Sequence, residues 1–485
     1  MILQPVRVYF LMVFVSLAMG CAASFPEVEN DFEQNWQPTE FKASAYVIPT
    51  APEALARRIA LVRQARSNID MTYFSWDKDL VGLLLLQEIK LAADRGVKVR
   101  LTLDDLLVFD EKWLADLDHH SNIEIRLFNP FSSRKTGWLG RVVDFAGNRS
   151  ALDHRLHEKY FNVDQTWMIL GGRNIGNAYF GYSTEANFFD MDVLFEGDIL
   201  NAFAQNYQML WDSELLSPIS AVVATKQKRR YAHFSKALNR ALMGGDEVLK
   251  AIDLSVQQLQ EVTYTAITAV PVFDSVEKLD DSQPYFRSRL EHLLSEPLDT
   301  AEQVTISTPY VIPTRGEFKV IDALTKRSVE VELLTNSSSS NDSAFVPATY
   351  EQSREALLDK GVHILEYKDR ALNDDHYFHA DTYYHNKTVI LDNKLTYIGS
   401  SNFDPRSDFL NIEFGVVIDS ASFARDVEHY LKRQQDQVFW KVSRNDDGNT
   451  QWVSGDQVEL KSPNYGVIHT LPDWVFRKLS IELEL

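Results

Sequence analysis

One stretch of this chain is written twice. Residues 157–174, HEKYFNVDQTWMILGGRN, align without a gap to residues 385–402, HNKTVILDNKLTYIGSSN, at a constant offset of 228. His157 falls on His385, Lys159 on Lys387, Asp164 on Asp392, Gly171 on Gly399 and Asn174 on Asn402. A repeat of this length constrains the fold more than any compositional property, because each copy must be built from the same elements in the same order. Looser parallels lie upstream: SNIDMTYFSW (67–76) with QVTISTPYVIP (303–313), GVKVRLTLDD (96–105) with SVEVELLTNS (328–337), and NIEIRLFNPF (122–131) with VHILEYKD (362–369). Each is β-branched and alternating, as a strand is, and a helical pattern such as LVGLLLLQEIKLAADRG at 80–96 separates the first two. Strand, helix, strand order implies βαβ crossovers and a parallel or mixed sheet with helices outside. The expected class is α/β: two similar halves, residues 46–245 and 250–470, related by a pseudo-two-fold axis.

Alternate side chains of a strand share a face, so His157 and Lys159 point the same way, as do His385 and Lys387. A lone His-x-Lys is a trivial match; two copies in register, each with Asp and Gly-x-x-Asn at identical distances, are not. Past a Gly turn, Asn174 and Asn402 can return along the neighbouring strand beside their own histidine. Closed about the axis, the copies bring two imidazoles together with two ammoniums and two carboxamides. The lysines repel a cation and no Asp/Glu cluster accompanies them, so no metal site is expected. Lysines and amides favour an oxyanion such as phosphate. A neutral imidazole can attack phosphorus, and a protonated one can donate to the departing alkoxide and then act as base toward an alcohol or water. This is phosphodiester chemistry with no cofactor.

Composition narrows the partners. The formal charge of −20, from 49 basic and 69 acidic residues, disfavours a nucleic acid, whose binding draws on net positive charge. A pocket for one phosphate is unaffected, because a few buried lysines set its potential. The single cysteine, Cys21, excludes an intrachain disulfide.

The two His-x-Lys-x4-Asp motifs, with GSSNFDPRS at 399–407, resemble the phospholipase D superfamily over nearly the whole chain after residue 45. LAADRGVKVRLTLDD, RLFNPF, GGRNIGNAYF and LTNSSSSND are similar to stretches of bacterial cardiolipin synthases of type C. The resemblance implies two phospholipase D-like α/β sandwich domains sharing one active site, and transfer of a phosphatidyl group through a phosphohistidine to an alcohol or to water. It makes His157 the nucleophile and His385 the general acid and base, although the residues themselves do not separate the two. Lys159, Lys387, Asn174 and Asn402 would hold the phosphoryl oxygens. Ser400 would add a donor where the first copy has Gly172. An acting histidine needs an orienting carboxylate. Glu413, in NIEFGVVI, matches the family position, and aligning FFDMDVLF on it selects Asp190, with Glu185 and Asp192 as rivals. Asp164 and Asp392 lie beyond the His-Lys face and are read as structural. Arg406 matches the tail of the second motif as a substrate contact, a turn salt bridge being the alternative. Tyr310, with Tyr73, Phe74 and Trp76, ends a strand at the cleft mouth and either lines a lipid channel or belongs to the core. The Ser337 to Ser340 loop is either a headgroup contact or a plain loop.

The implied partners are phospholipids, phosphatidylglycerol with a second lipid such as phosphatidylethanolamine, and a membrane. The alternatives are a phospholipase D using water, a nuclease, and a non-catalytic lipid binder. Residues 1–20 have one basic residue, Arg7, and an apolar run from Val8 to Met19 too short to span a bilayer, which fits a signal peptide. Gly20 before Cys21 resembles a lipoprotein processing site with Cys21 lipidated; an ordinary secretory signal or an uncleaved anchor is the alternative. The expected location is a bacterial envelope membrane, facing the periplasm, through an acidic tether at 21–45. Residues 226–240 hold six basic and no acidic side chains, either a lipid-docking connector or a solvated helix face. Residues 471–485 form a C-terminal tail.

Overall fold

A computed structural model describes residue 28 and residues 32–108, 111–131, 152–223, 231–343 and 346–464. Residues 1–27 and 29–31, which include the expected signal segment, Cys21 and part of the expected tether, lie outside the described residues, as do residues 226–230 of the basic run and the tail.

The first half contributes β1 (Phe41–Val47), β2 (Asn68–Tyr73), β3 (Lys98–Asp104), β4 (Ile123–Phe128), β5 (Arg155–Leu156), β6 (Tyr160–Val163), β7 (Trp167–Gly171), β8 (Ala186–Phe189), β9 (Asp192–Gly197) and β10 (Leu216–Pro218). The second contributes β11 (Thr265–Phe273), β12 (Gln303–Ser307), β13 (Glu330–Asn336), β14 (His363–Tyr367), β15 (Asp381–Tyr384), β16 (Thr388–Leu391), β17 (Leu395–Gly399), β18 (Asn411–Ile412) and β19 (Phe414–Asp419), then β20 (Phe439–Arg444), β21 (Thr450–Ser454) and β22 (Gln457–Glu459). Outward from the centre, the first half pairs in the order β1, β9, β7, β6, β2, β3, β4. The second repeats it as β11, β19, β17, β16, β12, β13, β14. Only β2, β3, β4 and their counterparts β12, β13, β14 run parallel within this sheet, as βαβ crossovers require. The antiparallel pair β1 and β11, from Phe41↔Ala269 to Ala45↔Thr265, joins the halves at the pseudo-two-fold.

The helices repeat as well. Ala51–Gln64, Leu80–Asp94 and Lys112–Leu117 connect the first-half strands as Tyr285–Thr300, Arg315–Lys326 and Val346–Asp359 connect the second. Thr50 caps the first of these by accepting from Glu53 N at 3.1 Å, Asp79 caps the next from Gly82 N at 3.0 Å, and Thr314 with Glu317 forms a capping box. After β9 and β19, helices Ile199–Asp212 and Ala421–Lys432 cross over: the first packs on β11 and the second on β1. Their Phe203, Tyr207, Phe423 and Val427 lie in one apolar core with Ala45, Val193, Ala269 and Val416, so the halves share a centre.

Strand β1 corrects the tether boundary, because it begins at Phe41 and is paired on both sides. Its FKASAYV lacks the large alternating side chains of a strand; small Ala43 and Ala45 suit close packing of the Ala421–Lys432 helix. The motif aspartates are structural in a specific way. Asp164 and Gln165, like Asp392 and Asn393, take positive φ in the turns after β6 and β16, which Asp and Asn tolerate. The Asp164 carboxylate then accepts from the backbone N–H groups of Arg66, Ser67 and Asn68 at 2.7–3.0 Å, and Asp392 from those of Glu302 and Gln303 at 2.9 Å. Each ties a motif hairpin to the start of the neighbouring parallel strand. Among the described residues no helix is long and apolar enough to cross a membrane.

Candidate active site

Two short parallel ladders outside the main sheet each take one strand from each half. β5 pairs with β18, Leu156 opposite Ile412, and β15 pairs with β8, Tyr384 opposite Phe189. The next residue on each motif strand is the histidine: His157 N donates to Ile412 O at 3.0 Å and His385 N to Phe189 O at 2.9 Å. The residue after Ile412 is Glu413 and the residue after Phe189 is Asp190. His157 Nδ1 meets Glu413 Oε1 and Oε2 at 3.0 and 3.1 Å, and His385 Nδ1 meets Asp190 Oδ2 at 2.6 Å. The sequence places one carboxylate in each half; the structure crosses them, so each histidine is oriented by the other half. Of the rivals, Asp192 faces Arg58 at 2.8 Å and Arg173 at 3.4 Å, and Glu185 is exposed.

A buried carboxylate must be satisfied or it protonates. Burial alone would raise Glu413, but His157, Lys159 and the Ser400 hydroxyl overcome it and hold Glu413 down at about 2. Ser400 Oγ donates to Glu413, and Asn411 Nδ2 approaches it at 3.3 Å. Ser400 was expected to reach the phosphoryl group; its hydroxyl is committed to the carboxylate instead. In the first half the shorter Asp190 draws its carboxylate over residue 172, where a Cβ would collide with both oxygens. That is why the first motif carries Gly172 where the second carries Ser400. Burial raises Asp190 to about 6 against the pull of Lys387 and Arg173.

Lys159 donates to His157 O, and Lys387 to His385 O at 2.7 Å, so each ammonium lies against its own histidine. Burial lowers Lys387 to about 8 and Lys159 well below its usual value. Burial also lowers His157 to about 4, with Lys159 and Lys387 adding to the effect and Glu413 opposing it. His385 is pushed well down by burial, then by Lys387, Lys159 and His157, so the two motifs share one electrostatic site. Both shifts favour the neutral ring. With Nδ1–H donated to a carboxylate, each directs the Nε2 lone pair the other way.

The surroundings are unequal. Phe74 stands edge-on to His157 at 5.5 Å between centroids, with the Lys159 ammonium 5.7 Å above its ring. His385 is flanked by Tyr179 at 5.7 Å and Phe188 at 5.4 Å, which stack on each other. Asn174 accepts from Ser75 N at 3.2 Å and donates to Tyr179 Oη at 3.1 Å, fixing that wall. Asn402 Oδ1 is buried with no hydrogen-bond partner among the described residues. Tyr310 donates to Asp342 at 2.8 Å, and Arg406 pairs with Asp153 of the other half at 3.0 Å, the salt bridge that was its alternative reading. The serine loop is held within the protein: Ser340 Oγ lies 2.8 Å from Tyr367 O and 3.1 Å from Asn336 Oδ1, sharing its one proton between them, Ser337 bonds Ser339, and Ser338 bonds Glu351. Sequence reasoning missed Tyr179, Phe188 and Asn411, which have no equivalents of their own kind in the other half. It also missed Lys278, buried against Asp274, whose carboxylate accepts from Glu413 N at 3.2 Å.

Two reciprocal histidine–carboxylate pairs with a lysine apiece, on a duplicated α/β sheet, define a phospholipase D-like enzyme. The family described as "Cardiolipin synthase, PLD-like domain" matches residues 59–211 and 294–435, and the chain belongs to it. It is 31% identical over 420 residues to cardiolipin synthase C of Escherichia coli (strain K12), covering 83% of this chain and 86% of that protein. It is 25% identical over 395 residues to cardiolipin synthase A of Buchnera aphidicola subsp. Baizongia pistaciae (strain Bp), covering 78% of this chain and 67% of the other. In fold it is similar to the crystal structure of phosphatidylserine synthase from Haemophilus influenzae Rd KW20, with a TM-score of 0.63 at 17% identity, covering 93% of this chain and 99% of that one.

Proposed function

We propose that this enzyme transfers a phosphatidyl group from one phospholipid to the alcohol of another through a phosphohistidine, as a cardiolipin synthase would. The observation that carries the reading is the reciprocal pairing of His157 with Glu413 and His385 with Asp190 beside two buried lysines. Nε2 of neutral His157 attacks the phosphorus of a lipid such as phosphatidylglycerol, forming an N–P bond as the bond to the headgroup oxygen breaks. The anionic phosphodiester offsets the lysine charge that disfavours imidazolium, so His385 can carry the proton it delivers to the departing alkoxide. Now neutral, His385 takes the proton of the acceptor hydroxyl, the new oxygen attacks phosphorus, and His157 leaves. Lys159 and Lys387 counter the charge on the non-bridging oxygens. The reading includes a periplasm-facing membrane enzyme held by a lipidated Cys21, supported by the sequence of residues 1–21.

The deciding experiment incubates purified protein with vesicles of phosphatidylglycerol, with and without phosphatidylethanolamine, and identifies products by mass spectrometry. Cardiolipin formation is expected, and it should persist in EDTA. Phosphatidic acid as sole product would replace the transferase by a hydrolase. His157→Ala and His385→Ala should each abolish turnover; activity in both would end the two-histidine mechanism.

A further inference from the structure

The histidines lie at the ends of strands that are paired on one side only, β5 by β18 and β15 by β8. Successive N–H groups along a strand point to opposite edges. While His157 and His385 bond across the ladder, the N–H of the preceding residue faces an edge with no strand, and a buried N–H must find a partner. In both halves one side chain supplies it. Asp104, the last residue of β3, accepts from Leu156 N through Oδ2 at 2.8 Å. Asn336, the last residue of β13, accepts from Tyr384 N at 2.6 Å and donates to Tyr384 O at 2.8 Å. Leu156 and Tyr384 are 228 residues apart, the offset of the motifs, and β3 and β13 are counterparts in the sheet. Both side chains are buried, at 0% and 1% exposure. Each is held in turn: Asp104 Oδ1 accepts from Leu106 N at 2.7 Å, and Asn336 bonds Pro309 O at 3.0 Å and Ser340 at 3.1 Å.

We infer that Asp104 and Asn336 are positioning residues, a matched pair of clamps that set where His157 and His385 meet the phosphoryl group. The inference rests on the reading of those histidines as the reacting groups. Each imidazole is fixed at two points, its main chain and Nδ1. The partner of Nδ1 comes from the opposite half, so the main-chain clamp ties the ring to its own half. The clamp thereby makes the alignment of the two halves a property of the site. A misplacement of about 1 Å at a reacting group costs on the order of 10² in rate. The residue types match their tasks. Asn336 grips both an N–H and a C=O, as an amide can and a carboxylate cannot. Asp104 meets only donors, Leu156 N on one oxygen and Leu106 N on the other, with the Arg155 guanidinium 3.6 Å from the latter, as a carboxylate can.

The test uses the full chain on mixed phosphatidylglycerol and phosphatidylethanolamine vesicles, with melting temperature as the check on folding and ¹⁵N spectra as the check on the rings. Asn336→Asp keeps volume and acceptor but loses the donor to Tyr384 O. It should lower kcat by on the order of 10² with KM changed less than about twofold, and shift the His385 Nδ1–H resonance. Asp104→Leu, which leaves Leu156 N without an acceptor, should likewise lower kcat by on the order of 10² and shift the His157 Nδ1–H resonance. A folded Asn336→Asp protein with unchanged kcat and unchanged resonance overturns the inference, as does a loss that only follows the folded fraction. His157→Ala and His385→Ala run alongside. If they retain activity, the two-histidine reading fails by itself, and the resonance shift still decides whether the clamp positions the ring.

Discussion

Replacing Glu413 by glutamine tests the charge behind His157 while sparing shape. Three donors converge on this carboxylate: His157 Nδ1–H, the Ser400 hydroxyl and the Asn411 amide. A carboxylate accepts from all three; a glutamine has one accepting oxygen and an NH₂ that must itself face an acceptor. Acceptors within reach are the Ser400 hydroxyl, which can turn its proton to Phe414 O at 3.2 Å, and His157 Nδ1, once its proton has moved to Nε2, the atom that attacks in the proposed reaction. The variant therefore loses the negative charge that holds Nδ1–H, and with it the preference for the reactive tautomer. An amide in place of the carboxylate behind a catalytic imidazole costs about 10⁴ in kcat, and a comparable loss is expected here. Stability carries a second signature. Glu413 is held at about 2 against a usual 4.5, so the carboxylate favours the fold above pH 4.5, and that stabilisation is lost as pH falls toward 2. The difference corresponds to about 3 kcal/mol in order of magnitude. His157, lowered to about 4, acts in the same direction: the unfolded chain gains a proton below pH 6.5 that the folded one resists. In glutamine-substituted protein the part of the acid transition between pH 4.5 and 2 should flatten. Product formation is followed by mass spectrometry and melting temperature across pH 2–7 by circular dichroism. A fall in kcat of less than about tenfold would refute the orienting role.

Lys387, lowered to about 8, loses its proton within the working range, so kcat/KM should fall above about pH 8. In Lys387→Arg, which stays charged, that limb should vanish even if the plateau is lower; a limb left in place would assign it to another group. Gly172→Ser, which makes the first motif like the second, should lower melting temperature by the equivalent of about 1–3 kcal/mol through collision with Asp190, and impair turnover. Wild-type stability and rate in that variant would show that Asp190 has room to move. Cys21→Ser should release the protein from the membrane fraction on cell fractionation; unchanged retention would point to an uncleaved anchor.

The duplication was legible because chemistry holds it in register: His, Lys, Asp, Gly and Asn recur at fixed spacing where a motif strand, a turn and a return strand must superpose. From it the α/β class and the two halves follow, as do the facing positions of each His and Lys. What could not be read is which half supplies the partner of each group. Spacing along a chain carries no information about a contact such as His157 to Glu413, made across the two-fold by residues 256 apart. β1 was hidden for a related reason: its core face, Phe41, Ala43, Ala45 and Val47, carries two alanines where a helix packs, so its alternation is faint. Ser400 and Arg406 show a different limit. Their types suit a phosphate, and only geometry reveals that one is occupied with Glu413 and the other with Asp153.

The crossing has a consequence for how the enzyme is built. Neither half contains a complete histidine–carboxylate pair, and the ladders that carry the histidines, β5 with β18 and β15 with β8, exist only when the halves are docked. The shared core around Ala45, Ala269, Phe203 and Phe423 is therefore also what assembles the site. In an ancestor formed by two copies of one half, the two histidines would have stood in identical surroundings, and one reaction step would have had no preferred nucleophile. Exchange of a Ser–Glu set for a Gly–Asp set, together with Tyr179 and Phe188 against His385 alone, breaks that symmetry while keeping every group in register. In the two-step transfer proposed above, one imidazole bonds to phosphorus and the other only moves protons, and unequal orienting carboxylates are a direct way to separate those tasks.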